Sequence, residues 1–187
     1  ATLAAYVFSR NRTRLNGVLY FYLVLGIAMP MNFVTLMRVM QTTGLMNTRL
    51  GIILLYTATI LPFSIFLIYS FISSIPRELD EAAIVDGAGP FRLFWSIILP
   101  LLTPILVTAV VLNFMGTWND FLLPLYFLNS SAKWPMTLAV YNFFGQYSTN
   151  WGLVSADILL TSLPVVLIFL LGHRFILSGM TSGAVKG

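Results

Sequence analysis

Four apolar stretches, 17–36, 50–72, 101–128 and 153–171, restrict this chain to one kind of fold. Each is about as long as a helix needs, roughly 20 residues, to cross the hydrocarbon core of a bilayer. A fifth stretch, 1–8, is too short to cross and reads as the end of a span. In lipid a helix satisfies its backbone N–H and C=O groups internally, so the expected fold is all-α, a polytopic membrane helix bundle. Composition agrees: 58% of residues are hydrophobic and 9% are charged, where soluble domains carry about 25% charged residues. The lipid bilayer is the first partner implied. No basic stripe is present, which argues against nucleic acid. The chain has no cysteine, which excludes disulfides, thiolate metal sites and cysteine nucleophiles.

Between the spans the chain alternates in character. Pro30 and Pro62 are expected to kink the helices that contain them, as neighbouring helices allow in a membrane. Residues 41–48 form a short polar turn. Residues 129–150 form a wetter segment with Trp134, Tyr141 and Tyr147, aromatics of the kind that favour the membrane interface. Arg10, Arg12, Arg14, Arg77, Arg92, Arg174 and Lys186 collect on one side, against Arg38, Arg49 and Lys133 on the other. That imbalance puts the first side in the cytoplasm. Arg38 and Arg49 are expected at the outer interface, and Asp157, near the outer start of the last span, is expected as an interfacial or helix-start residue. His173 is expected at the inner one, because a metal site needs partners that it lacks.

One polar island, Ser74 to Pro90, breaks the pattern. It holds Glu78, Asp80, Glu81 and Asp86, four of the six acidic residues. Pro76 suits a first helical turn, and acidic residues there favour the positive end of the helix dipole. Leu79, Ala82 and Ala83 are spaced to share one small apolar face. Gly87 stands where a helix ends in a left-handed residue, and Pro90 can begin a second helix with Phe91, Phe94, Trp95 and Ile98 along one face. A helix this short is marginal alone in water and needs something to dock against.

Glu81-Ala82-Ala83, Asp86-Gly87-Ala88, Phe94, Ile98, Leu99-Pro100 and Pro104 resemble the EAA motif of the permease subunits of binding-protein-dependent ABC importers. Ala5-Tyr6 with Ser9-Arg10, Gly44-Leu45 with Asn47-Thr48, Leu61-Pro62-Phe63, Trp118-Asn119-Asp120 and Trp134-Pro135 resemble the carbohydrate branch. The ending, 179–187, resembles the tail of the maltose-type second permease. The resemblance covers essentially the whole chain, 1–187, and implies the type I ABC importer transmembrane fold. It also implies that a first helix, an outer loop and the start of a second helix are missing from this sequence. In such permeases residues 74–100 form a coupling helix seated in a groove of a cytoplasmic ATPase, with Glu81, Ala82, Ala83, Asp86, Gly87, Ala88, Leu99 and Pro100 as the coupling residues. The implied partners are a second permease, an ABC ATPase dimer that uses ATP and Mg, and an extracytoplasmic solute-binding protein. The implied location is a bacterial or archaeal plasma membrane, with the EAA region and the tail, 172–187, in the cytoplasm. Lys133, Trp134, Gln146 and Tyr147 offer contacts to the binding protein, and Gly183 and Lys186 offer tail contacts to the ATPase.

Polar groups inside a membrane each need a reason. Asn113, Trp118, Asn119 and Asp120 read either as a translocation pathway, with an aromatic for a sugar face and amides and a carboxylate for hydroxyls, or as interhelical hydrogen bonding. Gly26, Gly51 and Gly116 permit close helix contact without forming a strong small-residue motif. No phosphate-binding loop is present, and the spans hold no acid–base constellation. The chain is therefore expected to be no enzyme, to bind no cofactor or metal, and to form part of an ATP-driven path for a sugar or oligosaccharide. The alternatives are an ABC permease for another solute, an ion-coupled secondary transporter, whose paired repeats and midplane charges are not evident, and, more remotely, a membrane enzyme.

Overall fold

The fold is known from a computed structural model that describes residues 1–144 and 149–184, with side chains described as far as residue 172. Its main helices are α1 (Thr2–Arg10), α2 (Arg14–Ala28), α3 (Phe33–Thr42), α4 (Arg49–Ser74), α5 (Glu78–Val85), α6 (Pro90–Arg92), α7 (Leu99–Leu101), α8 (Thr103–Asn119), α9 (Leu122–Phe127), α10 (Met136–Ala139) and α11 (Trp151–Ala184). A π-helical stretch, Leu93–Ile98, joins α6 to α7. The chain divides into two compact units, one made of Ala1–Ala28, Leu61–Val111 and the chain from Gly172, the other of Met29–Ile60 and Leu112–Leu171.

Helices α4 and α11 are each long and apolar enough to cross a membrane. Only 28% of the most apolar stretch of α4 and 6% of that of α11 is buried, so most of this apolar surface is left for lipid or for other subunits. Two further helix pairs pass the same test only if each is taken as one bent span. A break at 29–32 separates α2 from α3, so 17–36 is no single rod. Pro30 disfavours helical backbone at Met29, and Asn32 then caps α3 by accepting from Thr35 N at 3.1 Å. The stretch Pro90–Leu101 meets α8 at 70°, and α8 stops at Asn119, so 101–128 is a broken element too. Pro62, by contrast, lies inside a continuous α4.

The first unit is built around Ala5, Ile65, Ile68, Ile72, Ala83, Leu93, Ile98, Leu102 and Ile105. Tyr6 lies against Phe94, ring centroids 5.3 Å apart, and Tyr20 stacks on Tyr69 at 4.1 Å. The second unit centres on Met40, Leu55, Leu123 and Phe127. Its turn between α3 and α4 uses Gly44 at φ +70 and Asn47 at φ +55, a conformation that Asn tolerates better than most residues. Asn47 ties that turn to the end of α9 and the segment after it: its N–H donates to Phe127 O at 3.0 Å, and its Oδ1 accepts from Ser130 N at 3.2 Å. Thr48 Oγ1 donates to Leu45 O at 2.7 Å and accepts from Gly51 N at 2.9 Å, so the Asn47-Thr48 pair has a structural role.

The end of the chain differs from expectation. Instead of stopping near residue 171, α11 continues to Ala184. Gly172 and Gly179 each cost a helix only about 1 kcal/mol relative to Ala, too little to stop it outright. Close packing falls at two of the three glycines singled out in sequence, Gly26 and Gly51, and at one that was not, Gly172. A Cβ at Gly51 would collide with Leu45 O and lie 2.8 Å from Met40 Cε. A Cβ at Gly172 would come 2.6 Å from Val111 Cγ2. A Cβ at Gly26 would lie 3.1 Å from Pro62 Cγ, whereas one at Gly116 would have nothing within 4 Å.

Candidate functional site

The polar island folds as helix, glycine turn, helix. Helix α5 carries Glu78, Asp80 and Glu81 in its first turn. Pro76 is not in that turn; it precedes the N-cap residue, Arg77. At the other end Ala88 N donates to Ala83 O at 2.9 Å and Gly87 N to Ile84 O at 3.0 Å, the paired closing bonds of a Schellman turn. That turn needs Gly87 at φ +81. Nothing lies within 4 Å of a Cβ built there, so the backbone conformation alone selects glycine. Gly89 then caps α6, with Pro90 in its first turn.

The faces of these helices are divided differently from their sequence spacing. Ala83 is buried in the first unit's core and Asp80 lies beside it, whereas Leu79, Ala82, Ile84 and Val85 are exposed, Val85 at 86%. Ala83 therefore leaves the face expected of it and packs on its own chain. Likewise Phe94 and Ile98 point inward with Leu93, but Phe91 and Trp95 are exposed at 82% and 57% and do not anchor the second helix. The π-helical turn shifts the register of side chains here, which simple α-helical spacing does not anticipate. Glu81, Asp86 and Gly87 are exposed, Ala88 and Leu99 half-buried, and Pro100 exposed.

Asp80 is held from a distance. Arg10 Nε lies 2.6 Å from Asp80 Oδ2, both side chains only 12% exposed. Arg10 Nη1 also donates to Ile75 O at 3.2 Å. Arg77 Nη2 reaches back to Ser9 O at 3.1 Å and Arg10 O at 3.3 Å, and the hydroxyls of Ser9 and Ser73 lie 3.2 Å apart. In sequence Arg10 is an orientation marker and, with Ser9, part of the carbohydrate-branch resemblance, but nothing local says what it touches.

In the second unit the four intramembrane polar candidates separate. Tyr56 Oη donates to Asp120 Oδ2 at 2.9 Å, and Leu122 N donates to Asp120 Oδ1 at 3.0 Å. Asp120 thus closes the break between α8 and α9 and holds it to α4. Trp118 stacks on Phe114 with centroids 5.4 Å apart and donates from Nε1 to Thr161 O at 2.9 Å. Asn119 is exposed and Asn113 half-buried. A cleft of about 420 Å³ is lined by Trp118, Tyr56, Phe114, Arg49, Lys133 and Trp134 among others, but not by Asn113, Asn119 or Asp120.

On the segment 129–150 Lys133 Nζ donates to Asn47 O at 2.5 Å and Trp134 Nε1 to Leu128 O at 2.7 Å, so both polar ends are turned to their own chain. Gln146, Tyr147 and Lys186 lie outside the described residues, as does the side chain of His173. Gly183 is on the final turn of α11.

A family model described as binding-protein-dependent transport system inner membrane component matches residues 1–180. The chain is 38% identical to the melibiose/raffinose/stachyose import permease protein MelC of Bacillus subtilis, over 100% of this chain and 68% of that protein. It is 35% identical to the diacetylchitobiose uptake system permease protein NgcG of Streptomyces coelicolor, over 98% of this chain but only 62% of that longer protein. Among solved structures, a bacterial ABC transporter involved in the import of the acidic polysaccharide alginate superposes with a TM-score of 0.76 at 22% identity, covering 91% of this chain and 65% of that one. That likeness is one of fold. Family members are permease components rather than enzymes, which sets aside the secondary-transporter and membrane-enzyme readings. On a match that runs nearly end to end, the chain belongs to the family of binding-protein-dependent transport system inner membrane components, alongside its sugar permeases.

Proposed function

We propose that this chain forms half of the membrane path of an ATP-driven importer for a sugar or oligosaccharide. It works with a second permease, a cytoplasmic ABC ATPase dimer and an extracytoplasmic solute-binding protein, in a bacterial or archaeal plasma membrane. The ATPase subunits hold ATP and Mg; this chain hydrolyses nothing. The island and the C-terminal end face the cytoplasm, in keeping with the arginine distribution.

The observation that carries the coupling role is the division of α5. One side, Asp80 and Ala83, is fastened to the chain's own core, and the other presents Leu79, Ala82 and Val85 to water. Exposed apolar surface outside lipid marks a contact site, and small Ala82 beside an exposed Glu81 and Asp86 suits close approach to a groove. Trp118 offers the cleft an aromatic wall; Asn113 and Asn119 remain pathway candidates, with Asp120 structural. Binding-protein docking falls to the outer segment 129–150, through its exposed Met136, Tyr141 and Phe144 together with Gln146 and Tyr147, more than through the tips of Lys133 and Trp134. Gly183 and Lys186 are assigned to ATPase contact.

The test is reconstitution. The assembled transporter in proteoliposomes should take up an oligosaccharide only with ATP inside and binding protein outside. Uptake driven by an ion gradient without ATP would contradict the reading. Deleting the last eight residues should lower ATPase stimulation more than assembly; unchanged uptake and ATPase rates would remove the tail from the account.

A further inference from the structure

The stretch Ala5-Tyr6 with Ser9-Arg10 has no part in the function so far, yet every one of these residues meets the coupling region or the end of α4 that leads into it. Ala5 is fully buried in the cluster that contains Ala83. Tyr6 packs on Phe94. Ser9 meets Ser73 through its hydroxyl and Arg77 through its carbonyl. Arg10 holds Asp80 and Ile75 O. We propose that this stretch is a socket for the coupling region, and that Arg10 is a positioning residue which makes the cytoplasmic end of α1 and helix α5 move as one piece during transport. The inference rests on the coupling role proposed above.

Two physical arguments support the socket. A largely buried ion pair adds little net stability compared with apolar packing, but losing one partner leaves a stranded charge. Such a pair is therefore better suited to fixing register than to strengthening a fold. The contacts also differ in what they resist. Alanine and isoleucine packing tolerates sliding. A guanidinium that holds a carboxylate and a carbonyl at once, backed by Arg77 reaching the opposite way to Ser9 O and Arg10 O, does not. A push on the exposed face of α5 then reaches α1 through directional bonds.

The experiment uses the assembled transporter in proteoliposomes, and the readout is sugar transported per ATP hydrolysed. Arg10→Ala and Asp80→Ala should each lower that ratio by about tenfold, within the usual range for coupling between sites. Arg10→Lys, which keeps a charge beside Asp80 but loses the fork to Ile75 O, should keep part of it. A normal ratio in the alanine variants, or a ratio in Arg10→Lys as low as theirs, would overturn the latch. A second measurement leaves the pair intact: spin labels on cysteines placed at Asn11 and Glu78 should keep their separation between the resting and ATP-bound states, and a change would overturn the proposal even if the variants fail to assemble. Failure of the coupling role itself looks different. A cysteine at Ala82 that never crosslinks to the ATPase would remove that role whatever Arg10 does. Crosslinking at Ala82 with a normal ratio in Arg10→Ala would remove the latch alone.

Discussion

Two carboxylates are drawn into this chain, and they are satisfied in different ways. Asp80 meets a guanidinium from a helix seventy residues away in sequence. Asp120 meets a neutral phenol and a backbone N–H two residues on. The first bond fastens a surface helix by one side and leaves its other side bare. The second closes the break between α8 and α9, and its carboxylate does not line the neighbouring cleft. The contrast teaches that a polar residue in an apolar chain is not by itself a pathway residue. What its partners are, and what they leave uncovered, decides between a moving contact and an internal fastening.

The contrast can be broken first at Gly87. A β-branched residue there must take up φ near +81, at a cost of roughly 1–2 kcal/mol, or else undo the turn. Gly87→Val should leave the subunit in the membrane and abolish transport, measured as uptake by the reconstituted complex. Normal uptake would mean that the turn is not needed for coupling. A smaller effect is expected on the bare face: Val85→Asp puts a charge into an apolar contact and should weaken ATPase retention on the purified permease pair, read as subunit stoichiometry after washing, without lowering permease thermal stability. A fall in stability would place Val85 within the chain's own packing.

The gentler tests concern the second unit. Asp120→Ala strands the Tyr56 hydroxyl and the Leu122 N–H, and should cost about 1–3 kcal/mol of stability, seen as a lower unfolding midpoint in detergent, while complexes that assemble still transport. Abolished transport at full assembly would restore Asp120 to the pathway. Tyr56→Phe removes one partner only and should be milder, about 1 kcal/mol, a typical net hydrogen bond.

The sequence made some of this plain because the signals are local. Gly87 and Pro90 fix a turn and a helix start within a few residues, and both are where the spacing predicts them. Pro30 marks a break, but the start of the next helix is fixed by the cap at Asn32. Which side of α5 is bare was not legible, because Asp80 is turned inward by Arg10, and no periodicity records a partner that far away. The exposure of Phe91 and Trp95 was hidden by the π-helical register, and the helical run to Ala184 by glycines that read as an end.

A crosslinking scan along α5 tests the central claim most directly, and the chain's lack of cysteine makes it clean. Single cysteines at Leu79, Ala82, Ala83 and Val85 would each be exposed to a short crosslinker in the assembled transporter. Capture of the ATPase from Leu79, Ala82 and Val85, with none from Ala83, is the predicted result. Equal capture from Ala83, or none from any of the four, would contradict a helix fastened on one side and offered to the ATPase on the other.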